Sequence, residues 1–191
     1  MSKELDILRE VIKGSNFLVL DTETTGRYPE SSEAVSVCVL QSDGRVLLNT
    51  LCKPTRPIPQ EAIAIHGITN EMVKNLLPFP SELLVEIVRD RDVIIYNRGY
   101  DVSILNSSTN AANLPRVDWW DIARWHCAME SFAEIYGDWN SYHHNYRWQK
   151  LSTAADYYHI PLTDAHDAWA DCQTTLALCK AMVAEWPGLI Y

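Results

Sequence analysis

The amino-acid sequence predicts an α/β protein: a mixed sheet, opened by an antiparallel three-strand meander and flanked by helices. Three observations carry this. Apolar strand-like runs crowd the first fifty residues, two of them joined through the turn Ser42-Asp43-Gly44. Helical and strand-like patterns alternate after that. The chain has 191 residues, 47% of them apolar and 21% charged. At that length folding hides roughly 70% of the unfolded chain's surface, so a core forms without staples.

Residues 4–11 read as a helical lead-in, and the run Phe-Leu-Val-Leu at 17–20 as a buried strand. Residues 34–40 and 45–52 follow as the second and third strands. The stretch 54–69 is rich in turn signals, and short helical patterns occupy 70–77 and 81–89. A fourth strand at 93–96 ends at Asn97, with a helix from about Tyr100. Helices near 151–159 and from about His166 to Trp186 close the chain, the last with Asp164 as a suitable N-cap and Asp167 three residues on. No repeat, linker or low-complexity tract interrupts it, so residues 1–191 are expected to form a single domain, with an aromatic-rich segment at about 119–148.

Composition narrows the function. Sixteen Lys and Arg stand against 25 Asp and Glu, a formal net charge of −9. Proteins that coat duplex DNA through many phosphate contacts are usually basic. An acidic chain suits a small nucleic-acid site whose positive charge comes from metal ions. Five cysteines without a CxxC pair read as reduced thiols. The first sixteen residues mix both charge signs without an apolar core, and no apolar run nears the ~20 residues of a membrane span. A cytoplasmic location without membrane contact is expected.

Carboxylates at strand ends are the most informative feature. In Asp21-Thr22-Glu23-Thr24-Thr25-Gly26, residues i and i+2 share a strand face, so Asp21 and Glu23 project side by side. Such a pair is either a polar strand end facing water or a cage for a hard cation, because unneutralised like charges in a desolvated site repel. Asp101 stands just beyond the fourth strand. Asp171 lies five residues after His166, about 140° around a helix. His166 therefore belongs in the first turn or the preceding loop, over a site that Asp171 reaches from below.

The ordered set Asp21-x-Glu23-x-Thr25-Gly26, Asn97-x-x-Tyr100-Asp101 and His166-x4-Asp171 resembles the DEDDh exonucleases, the DnaQ-like 3′–5′ exonuclease group. The resemblance covers residues 17 to 180. The segment from Arg56 to Thr69, RPIPQEAIAIHGIT, looks nearest to stand-alone enzymes of the exodeoxyribonuclease X type. Two departures stand out: Tyr96 where the family often has His or a small polar residue, and Tyr100 where it often has Phe. The resemblance implies an RNase H-like fold with a five-stranded mixed sheet and helices on both faces.

Resemblance and spacing together imply two-metal phosphodiester hydrolysis, with Mg²⁺ the expected ion and Mn²⁺ able to replace it. Asp21, Glu23 and Asp171 would ligate the ion that holds the attacking water, and Asp21 and Asp101 the second. His166 would take the water's proton. For the terminal nucleotide the resemblance points to Thr22, Thr24, Thr25, Ile65, His66 and Asn97; Arg98, Arg147 and Lys150 are candidate phosphate contacts by their charge. His66 has an equally good reading as a loop-bonding histidine, and the basic residues as solvated surface.

Expected substrates are nucleic-acid 3′ ends, single-stranded DNA first, in repair or proofreading. RNA trimming is the alternative enzyme reading, and a non-catalytic nucleic-acid-binding subunit the alternative class. A polymerase or other protein, or a second copy of the chain, would be a further partner.

Five of the seven tryptophans fall within residues 119–148. Ile122, Trp125, Met129, Phe132 and Tyr136 have the spacing of one buried helical face. Trp139, Tyr142, Tyr146 and Trp148 fit either base stacking or a contact between copies, with a structural role preferred. His126, Cys127, His143 and His144 lack zinc-finger spacing, so a zinc site is not expected.

Overall fold

The computed structural model describes residues 3–162 and 166–184. Helix α1 (Lys3–Lys13) leads into β1 (Phe17–Thr24), and β1 pairs on both sides. The five-stranded sheet has the order β3-β2-β1-β4-β5, with β2 (Ala34–Gln41), β3 (Val46–Leu51), β4 (Asp92–Ile95) and β5 (Arg124–Cys127). The pairs β1/β2 and β2/β3 are antiparallel; β1/β4 and β4/β5 are parallel. This is the mixed, RNase H-like arrangement expected from the sequence.

The central strand is apolar on both faces because both are covered. Phe17 and Val19 pack with Leu8 and Ile12 of α1 and with Leu176, Cys179 and Met182 of the last helix. Leu18 and Leu20 pack on the opposite side with Leu84, Val88, Val102 and Leu105. Those side chains come from α4 (Ser81–Val88) and α5 (Arg98–Ala111). All five cysteines are buried.

The hairpin turn between β2 and β3 forms as its residues dictate. Gly44 adopts φ +91°, and the Asp43 carboxylate accepts from the Arg45 N–H at 2.9 Å. Two expectations need correction. The turn-rich stretch 54–69 contains helix α2 (Gln60–His66), bounded by Pro59 and by Gly67 at φ +73°. The short helix α3 (Asn70–Val73) follows it.

The aromatic pattern 122–136 is not one helix. Ile122 ends α6 (Trp119–Ile122), Trp125 lies in strand β5, and Met129, Phe132 and Tyr136 belong to α7 (Ala128–Tyr136). Trp125 and Phe132 are buried on opposite sides of the sheet, and Tyr136 is exposed. A helical period cannot tell one helix from a strand–helix junction when residues from both end up buried.

The last helix, α9 (Ala168–Ala184), is capped by Asp167, whose Oδ1 accepts from the N–H groups of Trp169 at 3.0 Å and Ala170 at 3.1 Å. The proposed cap Asp164 and the helix end at Trp186 lie outside the described residues. Between α7 and helix α8 (Leu151–Tyr157) a small hairpin projects, formed by β6 (Trp139–Asn140) and β7 (Asn145–Tyr146). No described helix is long and apolar enough to cross a membrane.

Candidate active site

Strand β1 runs four residues beyond its apolar part, so Asp21 and Glu23 project from one face of an intact strand. At this point the pairing slips: Glu23 opposes Ser36 but Thr24 opposes Ala34. The extra residue, Val35, belongs to β2, so it is the partner strand that bends where β1 carries its carboxylates. Helix α9 crosses the same face and brings Asp171 from its first turn. Oxygens of Asp21, Glu23 and Asp171 lie within 4.8 Å of one another, a spacing that one divalent cation can span.

Asp101 approaches from the first turn of α5. It is 4% exposed, and Thr22 Oγ1 donates to its Oδ1 at 2.7 Å. His166 sits in the turn before α9, exposed, with φ +71°. A left-handed histidine is uncommon, and this one stands beside Asp171, whose carboxyl it influences.

Electrostatics make the cluster unstable as a set of free anions. Burial first, then Asp101, Asp171 and Glu23, push the Asp21 carboxyl well above its usual range. Glu23 is raised to about 8 by burial and by Asp171 and Asp101. Asp101 is raised to about 7 by burial, against the hydrogen bond from Thr22. Asp171 is raised by burial, with His166 pulling the other way. Carboxylates that repel one another in a desolvated corner and converge their oxygens fit a hard divalent cation, which removes the repulsion.

A cleft of about 590 Å³ opens beside Glu23, lined by Thr24, Thr25, Ile65, His66, Asn97 and Tyr100 among others. Helix α2 carries Ile65 and His66 to its wall. His66 bonds its own loop and also lines the cleft. Its Nδ1 accepts from the Ile68 N–H at 3.0 Å, which leaves Nε2 to donate to the Thr24 carbonyl at 3.2 Å. Burial holds its pKa below the usual value, so the ring is neutral near pH 7.

Several side chains do something other than expected. The Thr22 hydroxyl is buried and committed to Asp101, so it positions a carboxylate rather than meeting a nucleotide. Arg98 turns away from a phosphate role: it donates to the Trp125 carbonyl at 3.2 Å and to Glu130 at 3.3 Å. Arg147 pairs with Asp138 at 3.3 Å.

Two contributors were missed. The Tyr100 hydroxyl donates to the Gly26 carbonyl and lies 2.6 Å from Thr24 Oγ1, fixing the loop after β1. Glu33, buried, accepts from the N–H and hydroxyl of Thr55 and so fixes the start of the segment that leads to α2. The hydroxyl at position 100 was visible in the sequence; the partners of Glu33 were not.

Because Thr22 holds Asp101, Thr22→Val is expected to weaken Mg²⁺ binding at pH 7 by about 10–100-fold, the usual cost of losing a group that orients a ligand. Isothermal titration of the metal-free protein checks this, and an unchanged affinity would show that Asp101 is held without the hydroxyl.

Fold and site together define a nuclease of RNase H-like architecture. Residues 18–179 match the exonuclease family of the RNase T type, so the chain belongs to that family, consistent with the DEDDh motifs. It is 36% identical over 174 residues to an uncharacterized exonuclease of Escherichia phage 186, across 86% of this chain and 87% of that one. It is 27% identical over 108 residues to the DNA polymerase III epsilon subunit of Pasteurella multocida, across 51% of this chain and 43% of the subunit.

Among solved structures, E. coli exonuclease I bound to single-stranded DNA superposes with a TM-score of 0.70 at 21% identity, over 91% of this chain and 41% of that one. Exonuclease X bound to 5′-overhanging duplex DNA gives 0.60 at 19%, over 89% and 93%. The chain thus spans less than half of that epsilon subunit and of exonuclease I, and most of the phage exonuclease and of exonuclease X.

Proposed function

We propose that this chain removes nucleoside monophosphates from the 3′ ends of single-stranded DNA by divalent-metal-dependent hydrolysis. The convergence of Asp21, Glu23 and Asp171 oxygens beside a cleft of nucleotide size carries the reading. Asp21, Glu23 and Asp171 would hold one Mg²⁺, and Asp101 with Asp21 a second; Mn²⁺, with the same preference for oxygen ligands, would replace it. Bound there, the two ions supply positive charge opposite the phosphodiester oxygens as negative charge builds in the transition state.

The chain's own groups do the rest. Ile65 and the neutral His66 ring flank the terminal base, while the backbone around Thr24 and Thr25 and the side chain of Asn97 line the space for its sugar. His166, exposed at the rim, takes the proton of the attacking water. A similar site serves RNA as readily, since a 2′-hydroxyl is distinguished by a few contacts. The proposal favours DNA because the solved neighbours named above hold DNA. Proofreading beside a polymerase, or repair, is the corresponding role in a cell.

The test is a 5′-labelled oligomer of DNA or RNA, with free or blocked 3′ end, incubated with Mg²⁺. A ladder that shortens from the 3′ end, faster on DNA and absent with the block or with Asp21→Asn, is expected. A faster RNA ladder would move the reading to RNA trimming. No ladder with Mg²⁺ or Mn²⁺ would move it to a binding subunit.

A further inference from the structure

Strand β1 divides its side chains between two tasks at the site. Asp21 and Glu23 converge with Asp171, while Thr22 and Thr24 alternate with them along the strand. Both threonine hydroxyls meet the first turn of α5. Thr22 Oγ1 donates to Asp101 at 2.7 Å, and Thr24 Oγ1 lies 2.6 Å from the Tyr100 hydroxyl. Two neighbouring residues of one helical turn are thus fastened to two alternate residues of one strand. The first fastening holds a carboxylate. The second holds none: Thr24 and Tyr100 both line the cleft beside Glu23.

The Tyr100 hydroxyl also donates to the Gly26 carbonyl at 2.6 Å, and Thr24 Oγ1 lies 2.9 Å from the same oxygen. Three oxygens, one from the end of β1, one from the loop beyond it and one from α5, close into a triangle. The pairing of β1 with β2 ends at Thr24 and Ala34, and Thr25 bonds back to Glu33 of the same loop. Neither contact fixes the cleft wall Gly26–Tyr28 against α5. Along the loop, the next hydrogen bond to α5 among the described residues runs from Ser107 Oγ to the Pro29 carbonyl, at 2.6 Å.

The Tyr100 ring is half-buried against the apolar cluster beneath α5, a place that a phenylalanine ring fills as well. Packing therefore has no use for the hydroxyl. Burial raises its pKa, so it remains a protonated donor.

We infer that Tyr100 is a positioning residue for the 3′-terminal nucleotide. Its hydroxyl fixes the wall Thr24–Gly26 before the strand end arrives, and so serves binding rather than the cation cage or the chemical step. The assignment deepens the proposed function and rests on it for the strand end that enters the cleft. A wall already in place costs no ordering when a nucleotide enters.

Tyr100→Phe keeps the ring and removes the hydroxyl. On 5′-labelled dT15 with saturating Mg²⁺, KM is expected to rise about fivefold, the fold-change that one net hydrogen bond is typically worth, with kcat within about twofold. Mg²⁺ affinity by isothermal titration should stay within about twofold, since Thr22 still holds Asp101. Thr24→Val should also raise KM, and Thr24→Ser, which keeps a hydroxyl, should stay near the native value. Combining Tyr100→Phe with Thr24→Val should cost clearly less than the product of the two single effects, because both break the same triangle. Circular dichroism controls for folding. Unchanged KM in folded Tyr100→Phe would overturn the assignment. So would a fall in kcat at constant KM, an equal loss of Mg²⁺ affinity, or single effects that multiply in the pair.

If the native protein makes no ladder with Mg²⁺ or Mn²⁺, the nuclease reading falls, and the anisotropy of 5′-fluorescein-labelled dT15 with Ca²⁺ decides Tyr100 by binding alone. About fivefold weaker binding in Tyr100→Phe keeps the assignment. Equal binding, or none in either protein, overturns it.

Discussion

Asp171→Asn is expected to lower the single-turnover rate of 3′-end hydrolysis by about 10⁴-fold or more. His166→Ala should cost less, within about 10²–10⁴-fold, the range of general-base contributions. The difference follows from what each group does. Asp171 supplies one of three oxygens that lie within 4.8 Å of one another, and its amide analogue removes the negative charge that holds a cation between them. His166 stands exposed in a turn, where water or buffer can accept a proton in its place. Quenched-flow measurement with excess enzyme isolates the chemical step. Equal, mild losses in the two variants would show that the cation cage does not dominate the barrier.

The metal-free protein is expected to melt lower as pH rises from about 5 to about 8, by about 5 °C or more. The sign follows from proton linkage. Glu23 keeps its proton up to about 8 in the folded chain but loses it near 4.5 when unfolded; for Asp101 the window runs from 3.8 to about 7. Between those limits the folded state binds more protons, so raising the pH favours unfolding. Each kcal/mol lost is worth roughly 2–4 °C in a chain of this length.

Mg²⁺ at about 100 times its dissociation constant should restore about 2.7 kcal/mol at pH 8. Asp21→Asn removes a charge from the cluster, so it should raise the metal-free melting temperature at pH 8 and abolish most of the response to Mg²⁺. A flat melting temperature between pH 5 and 8 would mean that the carboxylates are hydrated and do not repel one another.

How much of this could be read in advance varied with the kind of signal. Strands β1, β2 and β4 announce themselves because they are covered on both faces and so are written as apolar runs. Strand β5 does not: Arg-Trp-His-Cys has no such run, and its tryptophan falls in step with a neighbouring helix. Helix α2 hides behind the prolines that precede it, although Glu-Ala-Ile-Ala-Ile-His ahead of a glycine carried a helix signal.

At the site, the two carboxylates of β1 follow from a period of two, and Asp101 and Asp171 come from resemblance to a family motif. What stayed illegible is tertiary pairing. Nothing near Thr22 in sequence says that its hydroxyl serves Asp101, 79 residues away. Nothing near Arg98 says that Glu130 and the Trp125 carbonyl will occupy it. An arginine at a strand end looks the same in sequence whether it faces a phosphate or a neighbouring helix.

The order of ligands along the chain also bears on how the protein is made. All five sheet strands are complete by Cys127, whereas Asp171 rides on α9, the last described element. A chain emerging from the ribosome can therefore pair its strands long before the third carboxylate arrives. A cation cage drawn from all three carboxylates would close only once α9 has docked against β1 and β2, so cutting would wait on a helix made after the whole sheet.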